Sequence, residues 1–339
     1  MIRSRPSASA RPQTFTPAQP GASASTGMIW LALGSVYVIW GSTYLAIAVA
    51  IRTLPPLLMA AIRFLIAGGL LYAFAIRRGD RGGDRPTGRQ WLGALVIGGL
   101  LLLGGNGGVV WAEQHVPSGI AALLIALVPL WMALVDRLVN GQRLARQAIV
   151  GLVVGFGGLV LLVGGPGGRF NLAGIFVLLG ASLSWAIGSI YQRAVRFPAR
   201  ALVGIAMEML GGGLLLGVAG IVAGELGQLH LARVSSESLV GLAYLIVFGS
   251  WIGFSAYLWL LRVAPVSLVG TYAYVNPVVA VFLGWWILSE PITLRTVGAA
   301  AVILAGVALI VTARAIPRDE RSDDGAPRRS AVTLRAKEA

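Results

Sequence analysis

The 339-residue sequence contains no cysteine, one lysine and two histidines, and only 13 acidic residues stand against 27 basic ones. Each shortage excludes a kind of chemistry. Without cysteine there is no disulfide, no thiolate nucleophile and no iron–sulfur ligation. The single lysine, Lys337, lies in the C-terminal tail. A Walker-type phosphate loop, which needs a lysine after its glycines, therefore cannot be built, nor can an intramembrane Schiff base. His115 and His230 are far apart in sequence and close to loops, which is not the spacing of a metal site. No metal and no cofactor are expected. Charge itself is scarce at 12% of residues, against about 25% in a typical soluble domain.

What fills the sequence instead is apolar. Hydrophobic residues make up 57% and the mean hydropathy is +0.80. They fall into ten runs near the roughly 20 residues that cross a hydrocarbon core: about 29–51, 57–76, 91–111, 118–136, 147–164, 172–192, 201–223, 238–261, 266–288 and 294–312. This pattern predicts an all-α polytopic membrane protein of ten transmembrane helices, with the lipid bilayer as its solvent. Residues 1–27, rich in Ser, Ala, Pro and Arg, read as a disordered tail without the apolar core of a signal peptide, and 313–339 as a second tail.

The net charge of +14 would fit nucleic acid, but its distribution does not, because the basic residues sit in short connections and tails. With a cytoplasmic N-terminus, 22 Arg and Lys fall on the cytoplasmic side, four (Arg52, Arg169, Arg233 and Arg295) fall opposite, and Arg63 lies inside a span. The positive-inside rule then places both termini in the cytoplasm.

The chain also repeats. A shift of 148 brings Trp111 onto Trp259, Pro117 onto Pro265, Pro129 onto Pro277 and Gly158 onto Gly306, and a shift of 147 brings Gly41-Ser42-Thr43-Tyr44 onto Gly188-Ser189-Ile190-Tyr191. The halves, 28–165 and 170–312, hold five spans each. Five is odd, so the second repeat is expected to insert inverted, an arrangement that in secondary transporters places the substrate near the midplane between repeats.

Two charges fall well inside spans, Arg63 in the second and Glu208 in the seventh, at matching places in the two halves. Intramembrane charge is costly, about 2.5–3.5 kcal/mol on insertion scales. Glu208 is either a protonatable coupling group, which would make protons a partner, or a locally neutralised packing residue. Arg63 is either an anion anchor, a partner of Glu208, or structural. Tyr37, Trp40 and Tyr44 share one helical face, as do Trp185, Ser189 and Gln192, and Tyr272 lies one turn from Asn276. Aromatics with polar tips suit a cavity for amphipathic solutes, so Trp40, Tyr44, Asn106, Trp185, Tyr272 and Asn276 are the candidate substrate-binding residues, with packing as the alternative. Trp30, Trp91, Trp285 and Trp286, near span ends, read as interfacial. The glycines around Asn106 read as a site of close helix approach. Pro129 and Pro277 are expected to kink the fourth and ninth helices. Gly151 and Gly155 form a small-residue face for packing or, alternatively, for a homodimer.

Several motifs taken together resemble one family. They are Trp40-Gly41-Ser42-Thr43-Tyr44, Pro55-Pro56 with Arg63-Phe64, Gly105-Asn106-Gly107, Val116-Pro117-Ser118-Gly119-Ile120-Ala121-Ala122, Glu208-Met209-Leu210 and Tyr272-Ala273-Tyr274-Val275-Asn276-Pro277. Over about 28–312 the chain resembles the EamA-type transporters of the drug/metabolite transporter superfamily, in the YedA-like bacterial inner-membrane subgroup. The Gly-Glu that commonly opens the family's last helix stands here as Ser289-Glu290, with Gly141-Gln142 as its first-half counterpart. The resemblance implies a ten-helix fold and a cavity lined by helices 1, 3, 4, 6, 8 and 9. It also implies export or exchange of a small metabolite, amino acid-like or amphipathic, by alternating access across the bacterial plasma membrane. A non-transporting membrane sensor and an intramembrane enzyme are the alternatives. Asp80, Asp84 and Asp136, at loops or span ends, do not form an aspartyl dyad, and His115 sits at a span edge.

Overall fold

The computed structural model describes residues 25–77, 86–140, 145–163, 171–192, 195, 198, 200–264 and 266–313. The tails and Gly141-Gln142 therefore lie outside the described residues, apart from 25–27 and Ala313. Within them every regular element is helical. Helix α1 is Thr26–Ala50 and α2 is Pro56–Arg77; α3 runs as Gly88–Gly98, a π-helical stretch Gly99–Gly107 and Gly108–Ala112. Helix α4 is Ser118–Ile125 followed by Val128–Asn140, α5 is Arg146–Val163, α6 is Leu172–Gln192 and α7 is Ala201–Val222. Helix α8 is Ser236–Tyr244, a second π-helical stretch Leu245–Gly253 and Phe254–Val263; α9 is Tyr272–Leu288, preceded by a short turn Val266–Val269, and α10 is Leu294–Thr312. Among the described residues, eight helices are long and apolar enough to cross a membrane, and Arg146–Leu162 and Tyr272–Leu288 are shorter apolar helices. Long side chains on the outside agree with that reading, with Trp30, Trp285 and Trp286 all exposed.

The helix starts show how the sequence satisfies backbone groups that lipid cannot. Five helices carry their own oxygen cap, α6 among them through Asn171 Oδ1, which accepts from the N–H of Ala173 and Gly174 at 3.0 and 3.4 Å. Ser25, Thr87, Ser235 and Thr293 each accept from a backbone N–H in the first turn, and Thr87 with Gln90 forms a reciprocal capping box. Helices α2 and α4 begin instead at Pro55-Pro56 and Pro117, which offer no side-chain oxygen. Their first free N–H groups are met by carboxylates from distant segments. Glu225 accepts from Leu57 and Leu58 at 3.2 and 2.9 Å, and Glu290 accepts from Ser118 and Gly119 at 2.8 and 3.2 Å. An anion at a helix N-terminus also meets the positive end of the dipole. Both caps lie at the same end of the bundle, where α1, α3, α7 and α9 finish.

Small residues set the closest helix approaches. The face at Gly151 and Gly155 is occupied within the chain, by α10: a Cβ on Gly306 would stand 2.5 Å from Gly155 N and 2.7 Å from Gly151 O. Likewise a Cβ on Gly98 would meet the Glu208 carbonyl at 2.6 Å, so α3 and α7 pack backbone to backbone. Helix α4 is interrupted at 126–127, directly before Pro129, which has no N–H to offer Ile125 and crowds its carbonyl. Around Pro277 α9 stays continuous; the break lies earlier, at 270–271.

Because backbone stands where a Cβ would go, Gly306→Val should act as overpacking, costing roughly 1–3 kcal/mol or more. Size-exclusion profiles of detergent-purified protein should show loss of the monodisperse peak, whereas Gly298→Ala, on a residue with open space around it, should leave it unchanged.

Candidate functional site

The site is built outward from Trp40. Its ring lies 4.8 Å from Tyr257, 5.4 Å from Tyr272, 5.8 Å from Phe254 and 6.5 Å from Trp185, centroid to centroid, the last three edge-on. Edge-on geometry is what the aromatic quadrupoles favour. Its indole Nε1–H donates to Gly249 O at 3.3 Å, and Gly249 lies in the π-helical stretch of α8, where the altered ladder leaves carbonyls free for other donors. One side chain of α1 is thereby joined to α6, α8 and α9. Neighbouring polar groups extend the seam: Ser42 Oγ pairs with Tyr244 OH at 2.6 Å, and Tyr37 OH pairs with Thr271 Oγ1. Turned so that its nitrogen faces the two carbonyls in reach, the Asn276 amide donates to Tyr37 O at 3.2 Å and Tyr272 O at 3.3 Å.

Inside this seam lies a cavity of about 80 Å³ open to the centres of water molecules, room for several waters. Trp40, Tyr44, Asn106, Trp185, Tyr272 and Asn276 all line it. So does Arg63, which brings α2 into the wall beside α1, α3, α4, α6, α8 and α9. Asn106 arrives from the π-helical stretch of α3, and that stretch and its counterpart in α8 start 146 residues apart.

The two intramembrane charges do not meet. Arg63 Nε donates to Ser250 Oγ at 2.9 Å, while Glu208 accepts from Gln192 Nε2 at 3.1 Å, away from the cavity wall. Each is buried. The pairing alternative for Arg63 and Glu208 therefore gives way to separate partners, because the two charges lie on different packing faces of α2 and α7.

Three carboxylates lie at one end of the bundle: Glu113 and Glu225, which the sequence did not single out, and Glu290, which the sequence singled out only as a motif position with no role. Each stands at a helix end, where an acid ordinarily reads as solvated. Glu113, one residue past α3, is buried, and neither of its oxygens has a hydrogen-bond partner. It faces Glu290 and the cavity residue Tyr44. Burial, and then the Glu290 charge, push its carboxyl well above the usual range.

A bundle of apolar helices closed around an aromatic cavity with a few convergent polar groups is the construction of a membrane transporter. The sequence profile of the EamA-like transporter family matches residues 25–164 and again 172–312. The inner membrane transporter YedA of Escherichia coli (strain K12) is 41% identical over 280 residues, covering 82% of this chain and 89% of its own. The transporter YvbV of Bacillus subtilis (strain 168) is 25% identical over 288 residues, 83% of this chain and 88% of its own. Protein PecM of Dickeya dadantii is 28% identical over 289 residues, 83% of this chain and 89% of its own. A protein of known crystal structure shares the fold at a TM-score of 0.60, with 22% identity, over 85% of this chain and 98% of its own. The chain belongs to the EamA-like transporter family.

A carboxyl raised in the folded state holds its proton there after the unfolded chain has released it. The stability it lends is present at acid pH and lost as pH climbs through the unfolded value, about 4.3, toward the folded one. Thermal unfolding in nanodiscs from about pH 4.5 to about pH 8 should therefore show a falling midpoint in the parent. Glu113→Gln, neutral throughout, should flatten that fall.

Proposed function

We propose that the protein is a secondary transporter that moves a small amphipathic metabolite through the cavity around Trp40 by alternating access. In this reading ten helices cross a bacterial inner membrane as two inverted five-helix repeats, with both termini cytoplasmic. The observation that carries it is the cavity wall itself. Helices from both halves supply aromatic faces and polar tips to one enclosed space: Trp40, Tyr44 and Asn106 from the first, Trp185, Tyr272 and Asn276 from the second. The same arrangement does not favour a sensor or an enzyme, since it offers a place for a solute and a seam able to open rather than a reacting pair. The end bearing Glu113, Glu225 and Glu290 would face the periplasm, consistent with the surplus of arginine in the connections at the other end. The interruption of α4 before Pro129 supplies a hinge.

Proteoliposomes carrying the purified chain test the reading directly, with uptake of amino acids, nucleobases and aromatic compounds followed against empty vesicles. Trp40→Ala and Tyr272→Ala should each lower transport by about tenfold or more while folded yield falls less. Equal losses in both measurements would assign these rings to packing. Trp40, with four aromatic neighbours, is the more exposed of the two to that outcome.

Glu208 is proposed as the coupling group, protonated and released during the cycle, with Gln192 as the partner that holds its ionised form. Glu208→Gln should keep exchange between two loaded compartments and lose transport driven by a proton gradient. Gradient-driven transport equal to the parent would leave Glu208 a packing residue.

A further inference from the structure

The least satisfied group in the cavity wall is a cation. Arg63 is 4% exposed. Its Nε is used by Ser250, and its guanidinium carbon lies 4.6 Å from the centre of the Phe64 ring. Its Nη1 has no acceptor at all. Among the described residues no carboxylate contacts it: Glu208 is held by Gln192, and Glu113 stands against Glu290 and Tyr44. Asn276, on the same wall, is committed to two backbone carbonyls. A buried charge left without a partner is strongly unfavourable, and a guanidinium keeps its charge at any physiological pH. The wall also presents three further features within the same small space: apolar aromatic faces, a hydroxyl at Tyr44 and an amide at Asn106. One fixed positive charge calls for one negative charge. A phosphate, with nearly two charges and oxygens on every side, would leave most of its acceptors against apolar wall, whereas a carboxylate places its single charge on the free donor.

We propose that the cavity is an organic-anion site, in which the Arg63 guanidinium takes the carboxylate of a small substrate while Trp40, Tyr44 and Tyr272 hold its apolar body. This rests on the cavity being the transport site and adds the chemical class of what enters it. The arginine is then left incompletely bonded by the protein because its remaining partner is the solute, and a neutral or cationic solute of the same shape cannot replace it. Two observations stand behind the proposal independently of any titration: a buried guanidinium with a donor left unpartnered, and the place of Arg63 in the cavity lining.

Three probes with one phenyl body separate the charge from the shape: phenylacetate, phenylacetamide and phenethylamine. Binding to the full-length protein in nanodiscs is read from tryptophan emission, since Trp40 and Trp185 line the cavity. Phenylacetate should bind at least about tenfold tighter than phenylacetamide, with phenethylamine weakest. Arg63→Lys should retain part of that preference. Arg63→Gln should abolish it, bringing phenylacetate affinity down to that of phenylacetamide measured on the same variant. Equal binding of acid and amide by the parent, which needs no variant to fold, overturns the inference, as does a preference that survives Arg63→Gln or a failure of all three probes to bind. Trp40-dependent uptake of neutral or cationic solutes without preference for acids would overturn the anion site while leaving the transporter reading standing.

Discussion

Hydrocarbon offers no hydrogen bonds, and most of this structure is an answer to that constraint. A helix satisfies its own interior but leaves its first N–H groups bare. Where the sequence supplies a serine or threonine, the helix caps itself, as at Ser25, Thr87, Ser235 and Thr293. Where it supplies proline, the bare groups become anchoring points for other parts of the chain. Glu225 and Glu290 each reach two N–H groups more than 160 residues away in sequence, so the end of α7 is tied to α2 and the end of α9 to α4. Indoles serve the same rule from the donor side. Trp40 and Trp251 give their N–H to carbonyls of neighbouring helices, and Arg295 gives two donors to Leu161 and Leu162 at the end of α5.

Against so thorough an accounting, the exceptions mark where something else is meant to bind or move. Among the described residues, the buried side-chain atoms without a partner are Arg63 Nη1, both oxygens of Glu113 and the hydroxyl of Ser118, at the start of α4. Arg63 lines the cavity, and Glu113 faces Tyr44 in its wall. The two π-helical stretches are a milder exception of the same kind. They widen the helix locally, α3 carrying Asn106 into the wall and α8 carrying both Gly249, which receives the Trp40 indole, and Ser250, which receives Arg63. Irregular backbone within a membrane span is tolerated only where protein or a cavity lies against it, and here it does both.

Helix bounds were legible because membrane spans announce themselves by length and apolarity; 172–192 and 294–312 coincide with α6 and α10, seven others differ by at most four residues at either end, and the ninth, 266–288, begins six residues later as α9 at Tyr272. The cavity wall was legible in part, through aromatics spaced at helical period within spans. Arg63 stood out as a charge, yet its partner did not, because Ser250 is one serine among many and only the folded α8 brings it to 2.9 Å. Glu113, Glu225 and the capping role of Glu290 were illegible for a related reason. A carboxylate at a span edge has the same sequence signature whether it faces water or a helix N-terminus 167 residues away, and only the tertiary packing decides. The π-helical stretches left no periodic signal in such uniformly apolar segments, and the tight α5–α10 approach needed the knowledge of which glycines oppose each other.

The three carboxylates also connect the cavity to one end of the bundle. Tyr44 lines the cavity and faces Glu113; Glu113 faces Glu290; Glu290 holds the first N–H groups of α4; and α4 returns Ile125 and Val128 to the cavity wall. The first two links act through space by charge and the last two by hydrogen bonds and packing, and α4 is the element among them with a built-in discontinuity, at 126–127. The segment before the break is fixed at its outer tip by a charge-assisted cap and at its inner end touches the space a solute would fill. Displacement there is resisted by two hydrogen bonds to one carboxylate, and a negative charge on Glu113 would compete with that same carboxylate. A solute that moved Tyr44 would alter the surroundings of Glu113, so the occupancy of the cavity and the seating of α4 share one electrostatic linkage. Coupling of this sort requires an element with two arrangements that both sites bias; under the proposed alternating access, the half-helix Ser118–Ile125, which ends at the interruption, is the candidate for that element.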